Sequence, residues 1–231
     1  MHRLPWLISL VVAASTALVV LGIAITPFLS PTWVAFEQGR ADAATWTGYS
    51  PTDLRTATDS ILSDLVVGPP AFDVTVGGEP VLNADERSHM QDVRRVFSGF
   101  YLLAGGALVI LVLARLAARR SSGWSNVKFL GAVRAGATGL IVGVVIAGVV
   151  AAVAFDAAFE VFHSLFFAAG TYNFDPSTER LVQLFPDVFW SETTIAVGIV
   201  TVVLAFVLRL DTSRRIRGLT GEATPSAGTA A

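Results

Sequence analysis

Cysteine is absent from the 231 residues, and charge is scarce. Without a thiol the chain can form no disulfide, no zinc–thiolate centre and no cysteine nucleophile. Only 15% of its residues are charged, against the ~25% usual for soluble domains, too few to clothe the whole chain in water. No Gly-x-Ser-x-Gly elbow is present. Phosphate-binding loops and dinucleotide fingerprints are missing as well, so nucleotide-driven chemistry has no motif to rest on. Histidine occurs three times.

What is present is apolar. Hydrophobic residues make up 53% of the chain and the mean hydropathy is +0.64. Four stretches, at about 7–25, 97–116, 136–155 and 193–210, approach or reach the ~20 residues needed to cross a ~30 Å hydrocarbon core. Thr26-Pro27-Phe28-Leu29 follows the first stretch where a small-x-small cleavage site would stand, so an uncleaved anchor is expected rather than a signal peptide. The chain divides into a first span (1–27), an outer cap (28–96), a second span (97–116), a short loop (117–135), a third span (136–155), an outer interfacial loop (156–192), a fourth span (193–210) and a disordered tail (211–231). The fold class predicted is membrane all-α, a bundle of four transmembrane helices with a small extracytoplasmic β-containing cap.

The charges are sorted by segment. On one side ten basic residues face two acids, and on the other six basic residues face sixteen. The positive-inside rule puts the basic side in the cytoplasm, with both termini there and the large loops outside, in a plasma membrane. The glycines of the third span, Gly136, Gly139, Gly143 and Gly148, are spaced for close helix approach. Packing within the bundle is the expected use of them, with a dimer face as the alternative.

The outer segments carry legible local signals. Ser50-Pro51-Thr52-Asp53 reads as a capped helix start, followed by Leu54, Ala57, Ile61, Leu62 and Leu65 at helical spacing until Gly68-Pro69-Pro70. Segments 72–76 and 79–82, joined by Gly77-Gly78, read as a hairpin, and the aromatic stretch 33–49 is a candidate for a further strand. Asn83-x-x-Glu86 reads as a capping box that starts a helix running without a break into the second span. After the third span the chain continues helically, with Phe155, Phe159, Phe162 and Phe166 on one stripe and Asp156, Glu160 and His163 beside it. Such a helix belongs at the membrane boundary.

His2 adjoins the initiator methionine and is set aside. His89 and His163 each sit just outside a span, on the same side, in a carboxylate-flanked stripe: Asp85, His89, Asp92 and Asp156, Glu160, His163. A carboxylate one turn away can hold an imidazole in one tautomer and stabilise its charged form, giving a base near neutral pH. The bland alternative is two polar residues on wet helix faces, and capping alone already accounts for Glu86. Glu86-x-x-His89 and Glu160-x-x-His163 also repeat the helical pair of di-iron bundles. The first span supplies no acid and the fourth only Glu192 at its end, so no metal is expected.

Glu86-Arg-Ser-His-Met-Gln-Asp-Val93, Phe162-His-Ser-Leu-Phe-Phe167 and Phe174-Asp-Pro-Ser-Thr-Glu-Arg-Leu-Val-Gln-Leu-Phe-Pro186 resemble the bacterial lyso-form lipoprotein intramolecular transacylase family, Lit. Span order and Thr47-Gly-Tyr-Ser-Pro-Thr-Asp-Leu54 fit as well. The resemblance implies an acyltransferase that moves the sn-2 acyl chain of a diacylglyceryl-cysteine lipoprotein to its own N-terminal amine. His89 and His163 would be the catalytic pair, supported by Asp92, Glu86 and Glu160. Diacylated lipoproteins and membrane lipid would be its partners, with no nucleic acid, no cofactor and no metal. In one place the chain departs from the family, which often has an acidic-x-tryptophan element where Gly170-Thr-Tyr172-Asn173-Phe174 stands here. On the residues alone, a non-catalytic assembly or sensor module and a lipid hydrolase on the same scaffold stay open.

Overall fold

The computed structural model describes residues 4–120 and 126–221. In chain order its elements are α1 (Leu4–Ile25), a 3-10 turn (Thr26–Leu29), α2 (Pro31–Arg40), α3 (Ala43–Thr47), α4 (Pro51–Val66), β1 (Thr75–Val76), β2 (Glu79–Pro80), α5 (Ala84–Arg120), α6 (Asn126–Val153), α7 (Phe155–Phe166), α8 (Arg180–Leu184) and α9 (Asp187–Thr220). Four of the helices, over Trp6–Leu29, Ala84–Arg120, Asn126–Val153 and Asp187–Thr220, are long and apolar enough to cross a membrane. The protein is a membrane protein of helices with one very small sheet.

The chain forms two compact units. One contains Met1–Gly22, Leu103–Val145 and Val200–Ala231; the other contains Ile23–Leu102 and Ile146–Ile199. In the first unit, Val12, Ala118, Phe129, Leu130, Ala132 and Val133 form one buried cluster. Val20, Ala137 and Ala205 form another. Gly136 explains how closely α1 and α6 approach: a Cβ there would stand 2.3 Å from the carbonyl oxygen of Ala13. Gly139, Gly143 and Gly148 have nothing within 4 Å of such an atom. One of the four spaced glycines is thus spent on packing inside the chain. On α9 the helix continues to Thr220, through the first ten residues assigned to a disordered tail. Residues 222–231 lie outside the described residues, as do His2 and Arg3.

The second unit is built on local signals. Ser50 caps α4, its hydroxyl accepting from the Asp53 amide at 3.1 Å, with Pro51 in the first turn. Ala57 and Ile61 on α4 join Phe72, Val74, Val81, Leu82, Met90, Leu181 and Leu184 in the principal core. The hairpin turns on Gly77 (φ 62°) and Gly78 (φ 89°), the left-handed pair that a two-residue turn demands. Its ladder is short, Thr75 opposite Pro80 and Val76 opposite Glu79. Beyond it the Val81 amide donates to the Val74 carbonyl at 2.8 Å, and Phe72 turns its amide to Asp64 Oδ2, also at 2.8 Å. The 33–49 stretch is helical rather than a further strand. Ser30 caps α2 by accepting from the Trp33 amide, with Pro31 at the first turn, the same Ser-Pro start as α4. Helix α5 has 37 residues, or about 55 Å at ~1.5 Å per residue, so its charged first turns (Asp85 to Arg95) extend beyond a ~30 Å hydrocarbon core.

Candidate active site

His89, in those first turns of α5, and His163, on α7, face one another inside the second unit. Their ring centroids are 6.2 Å apart and their planes are inclined by 22°. Both are buried, at 7% and 9% exposure, which removes the reading of two polar residues on wet helix faces. Aromatic side chains close the pair. Phe167 lies 4.9 Å from the His89 ring and 5.5 Å from that of His163. Phe174 meets His89 edge-on at 5.4 Å, and Phe159 lies 3.8 Å from His163.

The way α7 is set makes this possible. Ala154, at φ −147° and ψ 61°, interrupts the helix after Val153, so α7 starts afresh instead of prolonging α6. Its fresh start turns His163 inward and leaves Val161, Phe162, Leu165 and Phe166 exposed. At about 100° per residue the histidine and the outer phenylalanines therefore occupy adjoining faces of one amphipathic helix.

The hydrogen bonds of the two rings differ. Nδ1 of His163 is 2.8 Å from the carbonyl oxygen of Phe159. A carbonyl only accepts, so this nitrogen carries the proton and Nε2 holds the free lone pair. Nδ1 of His89 is buried with no partner. The flanking carboxylates, expected to stabilise the charged imidazoles, are opposed here by burial. Burial holds the His89 pKa down to about 4, helped by the nearby His163 and only partly offset by Asp92. Burial likewise lowers His163, against the opposing pull of the Phe159 carbonyl and Glu160. Desolvation outweighs the carboxylates at both rings and favours the neutral imidazole.

The three carboxylates take separate positions. Asp92, expected to orient His89, instead pairs with Arg95 at 2.7 Å and reaches the imidazole through its charge alone. Glu160 accepts a 2.8 Å hydrogen bond from the Tyr172 hydroxyl, and the Tyr172 ring lies 5.0 Å from that of His163. Glu86 is 1% exposed and is wholly occupied by the backbone. It accepts from the Asn83 amide at 2.7 Å and the Leu181 amide at 2.6 Å, while its own amide donates to Asn83 Oδ1 at 2.9 Å. The capping box is thus real, and its carboxylate also ties the start of α5 to the start of α8. Burial raises its pKa, with those amides opposing. Among the described residues no three histidine or carboxylate side chains gather as a metal site.

Three more residues stand beside the histidines: Tyr172, to which the sequence gives no site role, and Phe167 and Phe174, which it marks only as part of the stretches that carry the family resemblance. The Tyr172–Glu160 bond crosses the turn after α7, and neither helical period nor motif spacing marks it. The loop that supplies Phe174 is held by its own polar residues. Asp175 caps it through the Ser177 amide at 2.8 Å, Gln183 donates to the Pro176 carbonyl at 2.8 Å, and Asn83 donates to Glu179 at 3.2 Å.

Residues 8–190 match the model of one family, described as lipoprotein intramolecular transacylase Lit. No curated protein matches the chain significantly. Among solved structures, the membrane integral lipoprotein intramolecular transacylase Lit from Bacillus cereus matches with a TM-score of 0.77 at 17% identity, over 96% of this chain and 100% of that one. Two variants of the same Bacillus cereus protein, with one histidine replaced by arginine or by alanine, match at the same TM-score and identity. Identity that low speaks for a shared fold only.

Proposed function

The chain belongs to the lipoprotein intramolecular transacylase family, Lit, and from that premise we propose that it moves the sn-2 acyl chain of a diacylglyceryl-cysteine to the α-amino group of the same cysteine. It is a membrane acyltransferase acting on lipoproteins. The product proposed here is the lyso form, N-acylated and S-monoacylglyceryl. The single observation that carries this reading is the buried pair of imidazoles 6.2 Å apart, one of them with Nδ1 on a backbone carbonyl and Nε2 left to act as a base. The chain's own lack of cysteine means that it handles lipoproteins without being one.

The chemistry suits such a site. Converting an ester into an amide is downhill and needs no activated donor. Nucleophile and electrophile share one molecule, so the protein has only to fold the lipid head back on itself and hold it, and orientation of this kind lowers barriers by several kcal/mol. The amine nitrogen attacks the ester carbonyl carbon. His163 Nε2 removes the amine proton and returns it to the glycerol oxygen as the C–O bond breaks. A free α-amino group has a pKa near ~7.7–8 and an imidazole near ~6.5; the lower value of the buried ring keeps His163 unprotonated and ready to accept. His89 stabilises the oxyanion. An unpartnered buried lone pair is less costly than an unpartnered N–H, so its proton belongs on Nε2, available to the carbonyl oxygen as charge develops.

The sorting of charge supports a site on the extracytoplasmic face, with both termini inside and a glycerol ester within its reach. Exposed Phe162, Leu165 and Phe166 on α7 give the site a lipid-facing wall. The test is replacement of each histidine by alanine in a host without lipoprotein N-acylation, with mass spectrometry of the amino-terminal lipopeptide. Each variant should lose ~10²–10⁴-fold in rate. Both variants forming N-acyl lyso product at the parent rate would overturn the mechanism.

A further inference from the structure

The histidine site leaves unused a cavity of about 550 Å³ whose lining comes from α1, α5, α6 and α9 and lies wholly within the first unit. Its walls are sorted along the helices. On α5 the apolar Leu111 precedes Arg115 by one turn, and on α9 Leu208 precedes Asp211 and Arg215. Helix α6 runs the other way, with Asn126 at its start followed by Phe129, Leu130 and Val133. On each of the three helices a polar or charged group thus adjoins an apolar wall, and Gly218 and Leu219 of α9 complete the lining beyond Arg215. Two lining hydroxyls are spent on their own helices, Thr16 on the Val12 carbonyl and Thr212 on the Leu208 carbonyl, both at 2.8 Å. They leave the walls effectively apolar.

The charged lining is Arg115, Arg215 and Asp211, a net charge of +1. Nη1 of Arg115 donates to Asn126 Oδ1, and its guanidinium lies 5.6 Å from the Phe129 ring centroid, which fixes its plane. Arg215 uses Nε on Asp211 Oδ2 at 2.7 Å, so its two terminal nitrogens remain for another acceptor. An apolar slot ending on two guanidiniums with one surplus positive charge matches a ligand with a hydrocarbon chain and a single phosphodiester. Free phosphate has no use for the apolar walls. A zwitterionic headgroup brings a cation of its own to a site that is already positive. We infer that this cavity binds one anionic glycerophospholipid, with the phosphodiester on Arg115 and Arg215 and an acyl chain along Leu111, Leu130, Val133 and Leu208. Basic pockets between membrane helices hold anionic headgroups in this way. The site is separate from the transfer reaction.

The test uses the full chain purified in detergent, with phosphatidylglycerol, phosphatidylcholine of the same acyl chains, or inorganic phosphate added. Native mass spectrometry and thermal unfolding are the readouts. One phosphatidylglycerol should remain bound and raise Tm, while phosphatidylcholine and inorganic phosphate do neither. The double variant R115Q/R215Q should bind at least tenfold more weakly. R215Q alone, which removes an exposed side chain and so leaves folding intact, should show part of the same loss. R134Q removes equal charge from α6 outside the cavity and should bind like the parent. The inference is overturned if phosphatidylcholine binds as well as phosphatidylglycerol, if inorganic phosphate reproduces the Tm rise, or if R134Q weakens binding as much as R215Q.

Discussion

Replacing Glu86 tests whether the site is held together by one buried carboxylate. Its two oxygens accept from the amides of Asn83 and Leu181 at 2.7 and 2.6 Å, joining segments 95 residues apart in sequence. Glu86→Ala leaves both amides without an acceptor, and each buried unsatisfied group costs ~1–3 kcal/mol. The sum, about 2–6 kcal/mol, is a large share of the ~5–15 kcal/mol that typically separates folded from unfolded states. Glu86→Gln keeps the shape but offers one acceptor and puts an NH₂ against the other amide, so about half the loss is expected. Asn83→Ala removes the cap, at ~1 kcal/mol, together with an exposed bond to Glu179. Thermal unfolding of the purified protein should rank the parent above Asn83→Ala, then Glu86→Gln, then Glu86→Ala, with the last lower by roughly 10 °C. Acyl transfer, measured well below each Tm, should fall in the same order, because the Leu181 loop carries Phe174 to His89. A Glu86→Ala protein with unchanged Tm would refute the reasoning, since a buried carboxylate bonded to two amides cannot be removed without cost.

Acid should destabilise the protein through His89. The unfolded imidazole takes its proton near pH ~6.5, but the folded one only near pH 4. Between those values the unfolded state binds the extra proton, so stability falls as pH drops through this window, by about 3 kcal/mol at most. His89→Asn should flatten unfolding curves there, and an unchanged slope in that variant would contradict the burial argument. Tyr172→Phe keeps the ring against His163 but frees Glu160. Losing one hydrogen bond worth ~1 kcal/mol should slow transfer several-fold, and because the freed carboxylate favours the charged His163 ring the acid limb of the pH–rate profile should move to higher pH, read from initial rates between pH 5 and 8. At Gly136 even alanine meets the Ala13 carbonyl, so Gly136→Ala should cost ~1–3 kcal/mol in a thermal melt, while Gly139→Ala and Gly143→Ala change little.

Much of this architecture could be read from one strand of text because the relevant physics is local. Hydrocarbon length sets the four apolar helices. Ser50-Pro51 and Asn83-x-x-Glu86 set helix starts through groups three residues apart, and Gly77-Gly78 sets the turn by the φ values it alone accepts. Ser30-Pro31 held the same information as Ser50-Pro51, and the aromatic stretch that follows it obscured the signal. Residue type and position also singled out His89 and His163. Their protonation did not follow from sequence, since flanking carboxylates suggest a raised pKa whereas burial by Phe159, Phe167 and Phe174 lowers it. Desolvation depends on every neighbour in space, and those neighbours come from α5, α7 and the loop after it. The same reason hid the partner of Glu160, the second duty of Glu86 and the pairing of Asp92 with Arg95. Periodicity fixes which face a side chain occupies, and only tertiary contact decides what that face meets.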